Sequence, residues 1–273
     1  MRAFILMRDT ESYPLAAVVA GVQALGYNAH IGGVDRTINS KDLLITWTPW
    51  RGSLSHRLGE QHKASGGRWV VMENGYIAGM KEPHYAVGLN GFNGFGDHRS
   101  ENSEPDRWKS FGLEILPWRT NGEHIAVFSQ MGGHDLRFTH HPHWPDDVVS
   151  RLEKLSPRKV LYRPKPTRPR YFLKIHENVR MIEVSGYKLE DYFKNAWAAV
   201  VYNSKIAVES LRVGVPALCD APCSILKSIL QSGIDSIENP PMPDREQFFY
   251  DLAYAQWSAT EIATGEPFKR ILS

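Results

Sequence analysis

Short apolar runs alternate along the chain with longer segments in which apolar residues recur at helical spacing. In the first half, the apolar runs predict buried strands at 3–7, 27–31, 41–47, 68–72 and 124–128. Helical spacing and capping residues predict helices at 14–25, 53–64 and 145–155. Because strands and helices alternate regularly, this half is predicted to form a parallel, doubly wound α/β sheet.

The second half repeats this alternation. Its strands are predicted at 159–162, 181–184, 198–202 and 215–218, and its helices at 189–194 and 205–213. Ser156-Pro157 interrupts the pattern and is predicted to separate a first domain, 1–155, from a second domain, 156–243. In the last segment, 244–273, one apolar helical face predicts a helix over 244–257, and a final helix is predicted over 261–271.

Composition excludes several classes of protein. A chain of 273 residues with 42% hydrophobic and 23% charged residues is typical of a globular protein of one large or two modest domains. A net charge of +2 permits a polyanionic partner without requiring one. No apolar run is long enough to span a membrane or serve as a signal peptide. Cys219 and Cys223 form neither a disulfide framework nor a zinc motif, so reduced thiols and a cytoplasmic location are expected.

The segment 199–219 has the pattern of a strand, a turn, a helix and a second strand. In a parallel unit of this kind, unpaired N–H groups at the helix N-terminus lie at the carboxyl end of the strand, where they bind phosphate. Asn203 and Ser204 occupy the turn, and Glu209 follows about a turn and a half into the helix. The pattern favours a diphosphate site. Taken alone, it is equally typical of a capping serine and a solvated acid.

A basic segment follows the strand predicted at 159–162. Its prolines keep it extended, so Arg163 and Lys165 are presented from a rigid loop at the carboxyl end of a strand. This placement favours an anion-binding loop, and the alternative is a solvated basic surface.

Polar and aromatic residues also follow the strands of the first half. In a parallel sheet such residues gather at one edge, where ligands bind. The residues that we expect around this cleft are Asp9, Glu11, Trp47, Trp50, Arg51, Glu73, Asn74 and Tyr76. The tryptophans are suited to stacking on sugars or bases, or to packing over the sheet edge. The loop 8–12 lacks the glycine fingerprint of a dinucleotide site, so neither NAD nor FAD is expected.

The glycine-rich stretch 88–99 has no Lys-Ser/Thr pair, so it is not a phosphate loop. Its composition predicts a long mobile loop that carries Asp97 and His98. Asp97 is either a general base for an acceptor hydroxyl or the side chain of an Asx turn. Four histidines at 134, 140, 141 and 143 fit no common metal motif, so no metal site is predicted.

Two motifs in the second half resemble a known family. Tyr162-Arg-Pro-Lys-Pro166, followed by Asn203-Ser-x-x-Ala-x-Glu-Ser-Leu-x-x-Gly-Val-Pro216, resembles the donor domain of GT-B glycosyltransferases. The second motif is especially similar to the pattern of capsule and lipopolysaccharide sugar transferases. Three further stretches, 72–76, 90–97 and 252–257, are similar to small phage-encoded glycosyltransferases that modify DNA.

The resemblance implies two Rossmann-like parallel-sheet domains facing a cleft, with the helices of 244–273 crossing back onto the first domain. It implies metal-independent transfer from a nucleotide-sugar, a UDP-sugar as co-substrate, with no further cofactor. The residues that it implies for donor binding are Arg163, Lys165, Asn203, Ser204 and Glu209. Glu209 would accept hydrogen bonds from the ribose hydroxyls. The catalytic base is expected at Asp97, with Glu73, Asp9 and Glu11 as alternatives. The acceptor would contact Trp47, Trp50, Arg51 and Tyr76.

The predicted acceptor is a hydroxymethylated base in double-stranded phage DNA. This prediction rests on the phage resemblance and on the aromatic and basic residues of the first domain. These residues are Trp47, Trp50, Arg51, Arg57, Arg68 and Trp69. The expected location is then the cytoplasm of the infected host. The alternatives are a cell-envelope or capsule glycan, a nucleotide-sugar epimerase, and an inactive nucleotide-binding protein of the same fold. The anomeric outcome and the oligomeric state stay open.

Overall fold

The computed structural model describes residues 1–10, 13–32, 38–49, 51–128, 144–163, 179–181, 189–221, 224–230 and 233–273. The chain forms two compact units. The first consists of Met1–Gly112 and Gln247–Ser273, and the second of Leu113–Glu246. No helix among the described residues is long and apolar enough to cross a membrane.

The first unit is built on a six-stranded sheet. Its strands are β1 (Arg2–Leu6), β2 (Asn28–Ile31), β3 (Leu43–Trp47), β4 (Arg68–Asn74), β5 (His84–Leu89) and, near the end of the chain, β11 (Gln256–Ser258). The spatial order is β11-β5-β4-β3-β1-β2. Strands β2, β1, β3 and β4 are parallel, whereas β5 is antiparallel to both β4 and β11.

The described helices of the first unit cover both faces of this sheet. They are α1 (Leu15–Ala24), α2 (Leu54–Ala64), α3 (Asp106–Ser110), α7 (Glu246–Tyr254), α8 (Ala259–Ala263) and α9 (Glu266–Leu272). Val18, Ile262 and Phe268, from α1, α8 and α9, share one buried cluster with β1, β3 and β4. On the other side, Gly59 of α2 lies directly against the Trp69 ring of β4.

The second unit contains five parallel strands: β6 (His124–Phe128), β7 (Lys159–Arg163), β8 (Val179–Met181), β9 (Ala196–Val201) and β10 (Ala217–Cys219). Their order is β10-β9-β6-β7-β8. The described helices are α4 (Trp144–Leu155), α5 (Leu189–Phe193) and α6 (Ile206–Arg212). Every residue of β6 is buried, which explains why central parallel strands read as continuous apolar runs.

The boundary between the units differs from the prediction. It lies at Gly112/Leu113 rather than after residue 155, because β6 pairs with both β7 and β9 and therefore belongs to the second sheet. Ser156-Pro157 is instead the short connection between α4 and β7 within that unit. From Gln247 onward the chain belongs to the first unit.

The sequence did not predict strands β5 and β11 or the break in the final helix at Gly265. The segment expected to be helical to Trp257 leaves the helix after Tyr254, because 256–258 pair with β5 as β11. Strand β5 makes the first sheet mixed rather than wholly parallel. The final helix is divided into α8 and α9 at Gly265, whose φ of 83° is a left-handed conformation that favours glycine.

Replacing Gly59 with alanine is expected to destabilise the first unit. A Cβ at this position would overlap the Trp69 ring, and overpacking a buried contact costs about 1–3 kcal/mol, against a helix-propensity gain of about 1 kcal/mol. The measurement is the urea unfolding midpoint. Gly233→Ala is the control, because its nearest neighbour would be Asp220 Oδ1 at 3.7 Å, an ordinary contact. An unchanged midpoint for Gly59→Ala would contradict this packing.

Candidate functional site

In each sheet the strand order reverses at one point, between two neighbouring strands. In the first unit, β1 leads through α1 to β2 on one side, whereas β3 leads through α2 to β4 on the other. The loops that follow the adjacent strands β1 and β3 therefore diverge. In open α/β sheets, the crevice at such a switch point is where ligands bind.

A pocket of about 430 Å³ lies at this switch point. It is lined by Tyr13 and by residues 6–8, 47–49 and 53–55, which follow β1, follow β3 and begin α2. Its volume lies within the range of about 300–1,000 Å³ that is typical of small-molecule sites. Tyr13 is a lining residue that the sequence did not single out, although its place just before the Pro14 that precedes α1 could have indicated it.

The acceptor residues predicted from sequence are only partly brought together here. Trp47 lines the pocket and packs against Tyr13 with ring centroids 4.4 Å apart. Asp9 is exposed and directly follows the lining residue Arg8, and Arg51 is exposed two residues before the N-cap of α2. Trp50 and Glu11 lie outside the described residues.

The second sheet has an equivalent switch point between β6 and β9. Strand β6 leads through α4 to β7 on one side, and β9 leads through α6 to β10 on the other. Asn203 and Ser204 lie in the loop after β9, so the sequence placed them at a ligand-binding edge of this unit. The loop after β6 contains the four histidines at 134–143 and lies outside the described residues.

Ser204 accepts a hydrogen bond from the first turn of α6, although it lies one residue before the N-cap. The helix begins at Ile206 with Lys205 as its N-cap, and Ser204 Oγ accepts the Ile206 N–H at 3.3 Å. Asn203 is buried. Both residues therefore belong to a well-defined turn at the carboxyl edge of the sheet.

Arg163 lies at the same edge. Phe128, the last residue of β6, pairs with Arg163 on one side and Val201 on the other, so these two lie about two strand spacings, or ~10 Å, apart. Arg163 Nε is buried and has no hydrogen-bond partner in the described part of the chain. The guanidinium lies 5.1 Å from the centre of the Tyr192 ring. Lys165, predicted to act beside it, lies outside the described residues.

Glu209 already has a partner within its own helix. Arg212 donates to both of its carboxylate oxygens, with Arg212 Nε 3.0 Å from Glu209 Oε2. The hydrogen bond to Glu209 raises the pKa of Arg212 above its already high ordinary value. Ribose hydroxyls would therefore have to share this carboxylate with Arg212.

Asp97, the first choice for the base, adopts the Asx-turn alternative. Its side chain accepts the Arg99 N–H at 3.0 Å and pairs with the Arg99 guanidinium at 2.8 Å, and it is half exposed. Its backbone bridges Leu89, which pairs with Val70 of β4. Because Val70 lies three residues before Glu73, Asp97 is set back from the carboxyl edge by about 10 Å.

Glu73 lies at that edge and is held by two donors. The Tyr76 hydroxyl and the Asn93 N–H both donate to Glu73 Oε1, the latter at 2.8 Å. Burial, followed by the Glu73 charge, raises the pKa of Tyr76 well above 10. Tyr76 was predicted to bind the acceptor, but it is only 3% exposed. Its hydroxyl is therefore committed to the Glu73 carboxylate.

The glycine-rich stretch is compact rather than extended from the surface. A Cβ at Gly88, Gly91 or Gly96 would meet the loop's own backbone, and at Gly88 and Gly96 also the His98 ring, at less than ordinary contact distance. His98 is half-buried, with Nδ1 2.9 Å from Val87 O and Nε2 3.3 Å from Asn93 O. The stretch is therefore packed against itself and β5 rather than an open loop, because the glycines permit close packing here.

Several residues that motivated DNA as acceptor are engaged inside the first unit. Trp69 is buried and donates from Nε1 to Thr46 Oγ1 at 2.9 Å. Arg68 donates to Leu272 O and to the Tyr27 hydroxyl, and Arg57 donates to Gly52 O. Trp69 is therefore unavailable for stacking on a base, whereas Arg57 is exposed. Among the described residues there is no cluster of three or more side chains arranged to hold a metal ion.

Comparison with known proteins supports the fold. No protein-family model matches the chain, and no curated protein matches it by sequence. A KpsC beta Kdo 2,4 transferase of Thermosulfurimonas dismutans matches at a TM-score of 0.60 and 10% identity, over 94% of this chain and 92% of its own. A KpsC beta Kdo 2,7 transferase of the same organism matches at 0.54 and 12%, over 99% of both. This similarity confirms the predicted two-sheet α/β fold of GT-B glycosyltransferases.

Stability is expected to fall in mild acid because two histidines are desolvated. Burial lowers the pKa of His98 and of His124 below the ordinary value of 6.5. The unfolded chain then binds protons that the folded chain does not, so the free energy of unfolding decreases as the pH falls below about 6.5. Urea titrations between pH 5.5 and 8 measure this slope. His124→Gln should reduce it, and equal slopes in the two proteins would contradict the assignment.

Proposed function

We propose that this protein is a glycosyltransferase that moves a sugar from a nucleotide-sugar to an acceptor hydroxyl. The observation that carries the proposal is the buried Arg163 Nε, which lacks a partner among the described residues at the carboxyl edge of the second sheet. A buried cationic donor without a partner is costly, and an anionic ligand would remove that cost. The fold supports the proposal, because similar structures are named sugar transferases.

The donor diphosphate would bind at the β6/β9 switch point. Arg163 would contact it from the end of β7, while Ser204 and the first amides of α6 would contact it from the end of β9. Arg163 and these amides would then stabilise the charge that develops on the leaving nucleotide. UDP-sugars are the first donors to test, and an activated Kdo is the second because the similar structures are named Kdo transferases.

The acceptor would bind at the β1/β3 switch point of the first unit, against Trp47 and Tyr13. We favour a glycan over a DNA base, because Trp69 and Arg68 are engaged within the fold. The assay for the acceptor compares glycans with hydroxymethylated duplex DNA. Turnover of nucleotide-sugar without any acceptor would instead indicate the epimerase alternative.

Glu73 is the carboxylate that we place first as catalytic base, with Asp9 second and Asp97 third. Glu73 lies at the carboxyl edge and has a fixed orientation, whereas Asp97 is turned toward Arg99 and set back along the sheet. A positioned base is worth more than a mobile one, because its lone pair is already directed. We retain metal-independent transfer as a proposal, since the sequence contains no Asp-x-Asp motif. Activity in EDTA tests it.

Arg163→Ala is expected to weaken nucleotide binding. Hydrogen bonds to a charged group contribute about 1.5–3 kcal/mol, which corresponds to roughly a tenfold to hundredfold increase in Kd. Isothermal titration with UDP and CMP measures it. Arg158→Ala is the matched control, since Arg158 lies just before β7, at the opposite end of the strand, paired with Glu238 at 2.7 Å. Equal affinity for Arg163→Ala and the wild type would remove the donor assignment.

Glu73→Gln is expected to lower kcat by about 10²–10⁴, because positioned general bases contribute factors of that size. Asp97→Asn should change kcat by less than about threefold, since asparagine can accept the same Arg99 N–H and preserve the turn. Steady-state transfer to a glycan acceptor measures both. A larger loss in Asp97→Asn than in Glu73→Gln would reverse the order of the two carboxylates.

A further inference from the structure

The Glu73 carboxylate is held by residues that are distant in sequence. Its Oε1 accepts the Tyr76 hydroxyl and the backbone N–H of Asn93, which lies 20 residues further along the chain. Asn93 has a φ of 50°, a left-handed conformation that surrounding structure must maintain. The orientation of Glu73 therefore depends on whatever fixes Tyr76 and Asn93.

His98 contacts both of these donors. Its ring lies edge-on to the Tyr76 ring, with centroids 5.8 Å apart, and its Nε2 is 3.3 Å from the carbonyl oxygen of Asn93. Its Nδ1 lies 2.9 Å from the carbonyl oxygen of Val87 and ties the ring to β5. A neutral imidazole has a single N–H, so it donates to one of these two carbonyl oxygens and packs against the other. The His98 ring thus lies between the sheet and two groups that orient the carboxylate.

Two glycines, Gly88 and Gly96, lie directly against the His98 ring. A Cβ at Gly88 would lie 3.1 Å from the imidazole, and a Cβ at Gly96 would lie 3.3 Å from its Nε2. A Cβ at either position would also lie 2.9 Å from the carbonyl oxygen of Gly91, so alanine there would force the loop backbone to shift as well as crowd the ring. The backbone of this loop is thus shaped around the imidazole.

We propose that His98 is a positioning residue that holds the Glu73 carboxylate at the carboxyl edge through Tyr76 and Asn93. The inference rests on the proposed function, in which Glu73 acts on the acceptor hydroxyl. His98 itself is half-buried and acts in this proposal through Tyr76 and Asn93 rather than on the acceptor. A carboxylate displaced by about 1 Å loses roughly a hundredfold in rate, so a residue that fixes two of its donors affects the chemical step rather than binding.

Two substitutions of His98 separate its contacts. His98→Asn keeps a donor near Val87 O but removes the ring and the group near Asn93 O, whereas His98→Gln keeps a donor that can reach Asn93 O. We expect His98→Asn to lower kcat about tenfold to a hundredfold, His98→Gln to recover part of this loss, and the donor KM to change less than twofold in both. Equal effects on kcat and KM would overturn the proposal.

His62→Gln is the matched control for loss of a histidine packed inside the first unit. His62 is buried there, and its Nε2 lies 3.2 Å from the carbonyl oxygen of Asp42, away from Glu73. Its replacement should leave kcat within about twofold of the wild type after correction for folded fraction. A loss as large as that of His98→Asn would show that the effect is one of general stability, and would overturn the positioning role.

A double-mutant cycle tests whether His98 acts through Glu73. In a Glu73→Gln background, His98→Asn should have less than about a twofold further effect, because the group that it positions is already gone. A full additional loss would overturn the proposal while leaving the transferase function intact.

A measurement without turnover separates this inference from the proposed function. The ¹⁵N–¹H signal of the Asn93 amide should follow the titration of Glu73 in the wild type and stay constant in Glu73→Gln. In His98→Asn the amide should lose this dependence. If no donor and acceptor pair gives transfer but the amide behaves as stated, the proposed function fails and the positioning role stands. An amide that titrates identically in the wild type and His98→Asn would overturn the role.

Discussion

Parallel pairing around one central strand in each sheet is the constraint on which the rest of this structure depends. In the first sheet, Leu6 pairs with Thr46, so β1 and β3 end at the same level while their helices leave in opposite directions. In the second, Phe128 brings the ends of β7 and β9 into line. Parallel register thus brings loops that are far apart in sequence to one edge in each unit, and that edge is where the candidate residues lie.

The arginines that lie partly or wholly inside the fold differ in whether their guanidinium groups have hydrogen-bond partners. Arg107 donates to Glu261 and to the carbonyls of Ala253 and Gln256. Arg245 donates to the carbonyls of Leu211 and Leu116 and stacks over Trp118. Both are satisfied by the fold, whereas Arg163 Nε has no partner among the described residues. An unsatisfied buried donor costs about 1–3 kcal/mol, and the proposed donor phosphate would remove that cost.

The two-sheet α/β fold was predictable because buried parallel strands read as apolar runs and their helices have clear periodicity. The unit boundary was not, since β6 resembles its neighbours along the chain and only strand pairing assigns it to the second sheet. Strand β11 has three residues and continues the apolar face of α7, so periodicity cannot separate them. At the site, sequence placed Ser204 and Arg163 at strand ends, but it could not show that Arg212 engages Glu209 or that Tyr76 is buried.

The glycine-rich stretch shows why residue type alone did not predict the local structure. Glycines are typical of mobile loops, but they also appear where backbone must approach a large side chain closely, and composition does not distinguish the two. Here the side chain is His98, which lies against Gly88 and Gly96. Because the loop packs closely, its Asn93 N–H can donate to Glu73. In the proposed mechanism, the carboxylate that acts as base is therefore the one that the loop orients, whereas Asp97, which the loop carries, accepts the Arg99 N–H within a turn.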